Sequence, residues 1–173
     1  LLALVASIAF TGQALAAKSP SPTLNRILER GSMIVGMAGD MPPLNMTNKD
    51  GIVVGMEPDL AGYMAEAMGV KLQIETMPFG DLLGALERGE IDMVMSGMTI
   101  TPSRNLKFAY VGPYFVSGKC VLTKEETLAG AEEAGDLNTE GRKLTALKGS
   151  TSEKFISALI PNASYVPVAG YND

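Results

Sequence analysis

The run Met95-Ser96-Gly97-Met98-Thr99-Ile100-Thr101-Pro102-Ser103-Arg104 concentrates residue types suited to holding an anion. Thr101 is placed to cap a short helix whose first residue is Pro102, where a missing N–H does no harm. The corner before it would expose backbone N–H groups and the hydroxyls of Ser96 and Thr99. Arg104 adds a planar fork of donors that matches a carboxylate. A second corner, Gly149-Ser150-Thr151-Ser152, repeats this chemistry ahead of another helix, whose N-terminus favours negative charge. Two such corners facing across a cleft would close on one small carboxylate.

Rigid elements must position these corners, and the hydrophobic pattern supplies them. Ser21 and Pro22 open a helix to Arg30, stopped by Gly31, and Met33–Met37 reads as the first core strand. Ala38–Leu44 is an irregular loop and Asn48–Gly51 a turn. Glu57–Met68 carries apolar residues at helical spacing, Lys71–Glu75 alternates as a strand, and Phe79–Arg88 is a second amphipathic helix. Ile91–Val94 is the strand that leads into the first corner. This β-α-β-α-β order predicts a parallel sheet with helices on its faces and ligands beyond the C-terminal ends of its strands. Lys107–Leu122 reads as extended, and Glu125–Gly141 as weakly patterned helix and loop. The β-α-β order then restarts with a strand at Lys143–Leu147, a helix at Glu153–Ile160 and a strand at Ser164–Val168. Glu57 and Asp59 read as first-turn acids serving their own helix.

Composition narrows the function. The 173 residues are 46% hydrophobic and 19% charged, as in a folded globular protein. A net charge of −5 and no basic cluster make nucleic acid an unsuitable partner. The absence of histidine removes Ser-His and Cys-His catalysis and most zinc sites, so no metal and no cofactor are expected. The single Cys120 cannot form an internal disulfide and reads as a small buried hydrophobe. Leu1–Phe10 followed by Ala14-Leu15-Ala16-Ala17 has the pattern of a secretory signal cleaved after Ala16, with no cysteine for a lipid anchor. A soluble exported protein, cut at both ends, is the expectation.

Four motifs in order resemble the periplasmic substrate-binding proteins of ABC importers, in the family that binds polar amino acids (family 3). They are Gly55-Met56-Glu57-Pro58-Asp59-Leu60, Gly89-Glu90-Ile91-Asp92, the run from Ser96 to Arg104, and Lys148-Gly149-Ser150-Thr151-Ser152-Glu153. The resemblance implies an α/β, periplasmic binding protein-like (type II), two-lobed Venus-flytrap fold with its second lobe incomplete. Residues 1–16 would be signal peptide, 17–31 linker and N-terminal helix, 32–117 lobe 1, and 118–173 hinge and partial lobe 2. The hinge would lie near Ser117-Gly118-Lys119.

By the same resemblance, Arg104 binds the ligand's α-carboxylate bidentately, helped by Thr99. Ser96, Gly97 and Met98 line the site, with Ser96 and Gly97 presenting backbone groups, and Thr151 and Ser152 complete the clamp. Family members carry an acidic residue two positions after the first strand's glycine, where this chain has Ala38. Asp40 is the candidate replacement for an ammonium contact, against a plain turn role. Met41 and Met56 stand where ligand-sandwiching aromatic residues are usual, against a plain core role. The implied function is capture of an amino acid or related carboxylate by a monomer that delivers it to an ABC transporter membrane permease. The alternatives are an exported enzyme on the same fold, such as a cyclohexadienyl dehydratase, or a ligand-sensing domain of a larger transglycosylase or receptor.

Overall fold

The computed structural model describes residues 21–128 and 130–173, so the signal sequence expected at 1–16 lies outside the described residues. Helix α1 (Pro22–Arg30) starts as its residues dictate: Ser21 caps it by accepting from the Leu24 N–H, and Pro22 sits in the first turn. It leads into β1 (Ser32–Met37). A small antiparallel ribbon follows, made of β2 (Asp40–Met41), β3 (Asn45–Thr47) and β4 (Val53–Val54). Helix α2 (Met56–Ala67), strand β5 (Lys71–Thr76), a single 3₁₀ turn at Phe79–Asp81, helix α3 (Leu82–Glu87) and strand β6 (Met93–Val94) complete the first unit.

The sheet order is β5-β1-β6 and both pairings are parallel. Strand β1 is therefore central, and helices cover both its faces, as a parallel sheet requires. Met33, Val35 and Met37 are fully buried against Ala61 and Ala65 of α2, together with Ile27 of α1. On the opposite face, Gly36 leaves room for Ile91 and Leu82: a methyl there would come within 2.5 Å of Ile91 Cδ1 and 3.0 Å of Leu82. Asp92 ties these elements together. Its side chain is 1% exposed and accepts from the Ile34 N–H at 2.9 Å, from Arg26 at 3.0 Å, and from Arg30. Burial alone would push this carboxyl up. The Ile34 amide and the two guanidinium groups outweigh it and hold the group below its ordinary value.

The short helix α4 (Pro102–Asn105) lies beyond β6, and the one-turn helix α5 (Ala134–Leu137) precedes the second unit. That unit pairs β7 (Lys143–Leu147) in parallel with β8 (Ser164–Val168) through the crossover helix α6 (Thr151–Leu159). The two units share apolar packing: Leu147 of β7 is buried with Phe79 and Leu82, and Ala38, Met41, Met77, Val94 and Met98 pack around them.

Three expectations need correction. Residues 107–122 form no strand ladder, and Val111, Val116 and Leu122 are 93%, 82% and 99% exposed. Extended sequence becomes a strand only beside a partner strand, and none of the described strands runs alongside. Cys120 is exposed for the same reason, not buried. Glu125–Gly141 contributes a 3₁₀ turn at Glu126–Leu128 and the one-turn α5 instead of a longer helix, because Gly130 and Gly135 weaken helix propagation.

Candidate functional site

Strand β6 delivers the first corner, and its hydroxyls diverge. Ser96 is fully buried: its Oγ accepts from the Ala38 N–H at 2.9 Å and donates to Met41 Sδ at 3.6 Å. The expectation that this hydroxyl is exposed is overturned, because the ends of β1 and β6 need a polar tie where their ladder stops. Gly97 adopts φ +57, and a Cβ there would come within 2.8 Å of Met41 Cε. Its N–H donates to Glu57 Oε1 at 2.7 Å, so that group is already engaged.

Glu57 is the residue whose role sequence reasoning misses. It is not a solvated first-turn acid but is fully buried. Its Oε1 also accepts from the Tyr114 hydroxyl, and its Oε2 from Asn45 Nδ2, while Asn45 Oδ1 accepts from the Gly39 N–H at 2.6 Å. Burial and the neighbouring Glu57 push the Tyr114 phenol far above its ordinary value, so it remains a donor. The turn that delivers Glu57 depends on Gly55, whose φ of 133° and ψ of −176° belong to a region open only to glycine. A Cβ at Gly55 would come within 2.4 Å of the Leu44 carbonyl oxygen, which accepts from the Glu57 N–H at 2.9 Å.

Arg104 sits at the meeting point of the two corners. Thr101 caps α4 as expected, accepting from the Arg104 N–H at 3.2 Å. The Arg104 side chain turns inward and the residue is 8% exposed. Its Nη1 donates to the Thr99 carbonyl at 2.7 Å and its Nη2 to the Gly149 carbonyl at 3.0 Å, which spans the two units. A guanidinium has five N–H donors, so the rest of the fork has no acceptor among the described residues. None of the described carboxylates lies within 4 Å of it. The Tyr110 hydroxyl is buried without a hydrogen-bond partner. Burial pushes the Tyr110 phenol up, and the charge of Arg104 opposes that shift.

The second corner meets the first directly. Ser150 is the N-cap of α6, accepting from the N–H groups of Ser152 and Glu153, so Thr151 and Ser152 occupy the first turn instead of preceding the helix. Thr151 Oγ1 lies 3.5 Å from Thr99 Oγ1 and accepts from Lys119 Nζ at 2.8 Å. The sequence marks Lys119 only as part of a hinge; the contact spans 32 residues and carries no local signal.

The remaining candidates separate. Met98 and Met41 pack on the apolar cluster between the units, while Met56 is 38% exposed at the start of α2. Asp40 faces the turn after β8: its Oδ2 accepts from the Tyr171 N–H at 2.8 Å, and its Oδ1 is buried without a partner. A cleft of about 770 Å³ runs past Gly97, Met98 and Thr99 and along residues 108–119, including Tyr110, Tyr114 and Lys119. Among the described residues no group of three or more metal-ligating side chains comes together, and no helix is long and apolar enough to cross a membrane.

Two α/β units joined by shared apolar packing, with a cation and hydroxyls drawn to their junction, define the two-lobed fold of the type II periplasmic binding class. The chain belongs to the bacterial extracellular solute-binding proteins, family 3, whose profile matches residues 33–155. It is 30% identical to the L-cystine-binding protein TcyJ of Escherichia coli (strain K12), covering 87% of this chain and 54% of that protein. It is 28% identical to the cyclohexadienyl dehydratase of Pseudomonas aeruginosa, covering 94% and 58%. The crystal structure of the ancestral amino acid-binding protein AncCDT-1, a precursor of cyclohexadienyl dehydratase, superposes with a TM-score of 0.81. That match has 33% identity and covers 87% of this chain and 66% of the other. The chain thus spans about half the length of the curated relatives it matches.

Proposed function

We propose that the protein is an extracytoplasmic receptor that captures a small carboxylate, most simply an amino acid, between its two units and presents it to an ABC transporter permease. One observation carries this reading: a guanidinium, on a residue 8% exposed, with donors left over and no described carboxylate beside it. Two carbonyls satisfy part of the fork, and a ligand carboxylate supplies the charged partner that is absent among the described residues. Arg104 grips the carboxylate as a fork. Thr99 and Thr151 add hydroxyls from either side, and the first turn of α6 adds its positive end. Ser152 stands on that turn.

Asp40 is the group for a ligand ammonium, because its Oδ1 is buried without a donor. Ser96 and Gly97 hold the floor of the site, and Met41, Met56 and Met98 give it an apolar, adaptable wall. Residues 32–117 act as one lobe and 118–173 belong to the second, with the chain crossing at Ser117-Gly118-Lys119. Action as a monomer in the periplasm, behind a signal peptide ending at Ala16, completes the reading.

Isothermal titration with a panel of amino acids and simple carboxylates tests it. Arg104→Ala should weaken carboxylate binding at least about a hundredfold, because the ligand charge loses a charge-assisted bidentate partner. Unchanged affinity would remove the reading. A second reading, an exported dehydratase, is favoured by the 94% coverage of this chain in the match to the Pseudomonas enzyme. Turnover of prephenate or arogenate would establish it, and binding without turnover would exclude it.

A further inference from the structure

Lys119 places a second cation at the same junction. Its Nζ donates to Thr151 Oγ1, which lies 3.5 Å from Thr99 Oγ1, and the Thr99 backbone carbonyl accepts from Arg104. Lys119 and Thr99 also line the same cleft. None of the described carboxylates comes within 4 Å of either cation. Glu153 stands at the same corner, but its Oε2 accepts from the Gly149 N–H at 2.6 Å and neither cation comes within 4 Å of its carboxylate.

From this arrangement we infer that the ligand carries two carboxylates, one in the Arg104 fork and the second on Lys119. The inference rests on the receptor reading above and deepens it. A single carboxylate engages Arg104 alone and leaves Lys119, exposed at the edge of the site, with only its Thr151 hydroxyl contact. A dianion neutralises both. The two sites suit different tasks. The rigid fork fixes the first carboxylate in a plane, while an ammonium on a flexible four-carbon stem accepts a second at a range of distances. The ligand class is therefore a short-chain dicarboxylate, and the α-amino group of an acidic amino acid would fall to Asp40.

The test is calorimetric titration of the protein with glutamate, succinate, glutamine and arginine, repeated with Lys119→Met and Lys119→Arg. The expected result is that glutamate or succinate binds roughly tenfold or more tightly than glutamine or arginine at low ionic strength. Lys119→Met should remove that preference and Lys119→Arg should restore most of it. Lys119 is exposed, so both variants should melt with the parent. Glutamine or arginine binding as tightly as the dicarboxylates would overturn the inference while leaving the receptor reading standing. So would a dicarboxylate preference that survives Lys119→Met. If no carboxylate in the panel binds the parent protein, both fail together.

Discussion

Glu57 and Arg104 are both charged residues buried near the cleft, and their surroundings treat them in opposite ways. Glu57 is enclosed by three donors from Asn45, Gly97 and Tyr114, each from a different part of the chain. Arg104 has two carbonyl acceptors and donors to spare. A buried polar group with every partner in place fixes one arrangement of the backbone around it. A buried group short of partners stores a demand that something else must meet. The first unit thus contains a finished polar knot, and the junction between the units contains an unfinished one.

That contrast can be broken at four points. The largest effect is expected for Glu57→Gln. All three neighbours donate, and Asn45 cannot reverse its amide without losing the Gly39 N–H, so one Gln N–H must face a donor. Urea unfolding should show a loss of about 3 kcal/mol, and a near-neutral result would mean that Glu57 is not the organiser of this region. Asp92→Asn comes next, at about 2 kcal/mol at neutral pH. Because the native Asp92 carboxyl lies below its ordinary value, its contribution is complete above the unfolded carboxylate range and disappears as pH falls through the native value. The parent should lose stability over that acid range more steeply than the variant, and parallel acid titrations would contradict the tether.

Ser150→Ala should cost about 1 kcal/mol, because two N–H groups of α6 lose their cap. It should loosen the second corner without touching Glu57, which amide exchange along α6 can read. The smallest effect on stability is expected for Arg104→Met without ligand, within about 1 kcal/mol of the parent and with either sign. Calorimetric melting checks this. A loss comparable to that of Glu57→Gln would make Arg104 a structural residue and erase the contrast.

Most elements of the fold were legible because periodicity and caps are local. Ser21, Gly31, Thr101 and Pro102 act within a few residues of themselves, and the parallel order of β1, β5 and β6 follows from the alternation of strands and helices. The helix caps of the two corners, Thr101 and Ser150, are local in the same way. Glu57 was not, since its donors lie 12, 40 and 57 residues away and nothing in a helical pattern distinguishes a solvated acid from a buried one. The aromatic run after Lys107 read as extended, yet a strand is a property of two segments, and only one was in view. Lys119 reaches Thr151 through a contact spanning 32 residues, invisible to any short window.

Gly55 carries a consequence for how such a protein can change over generations. No side chain fits between Cα and the Leu44 carbonyl, and no other residue tolerates that backbone conformation. Drift at this position is closed, and a mutation there would unseat Glu57, then Gly97, then the corner that leads to Arg104. Novelty must therefore come from the permissive rim, where Met56 and Lys119 can be exchanged without disturbing the turn. The rim is free to diverge while the scaffold stays put.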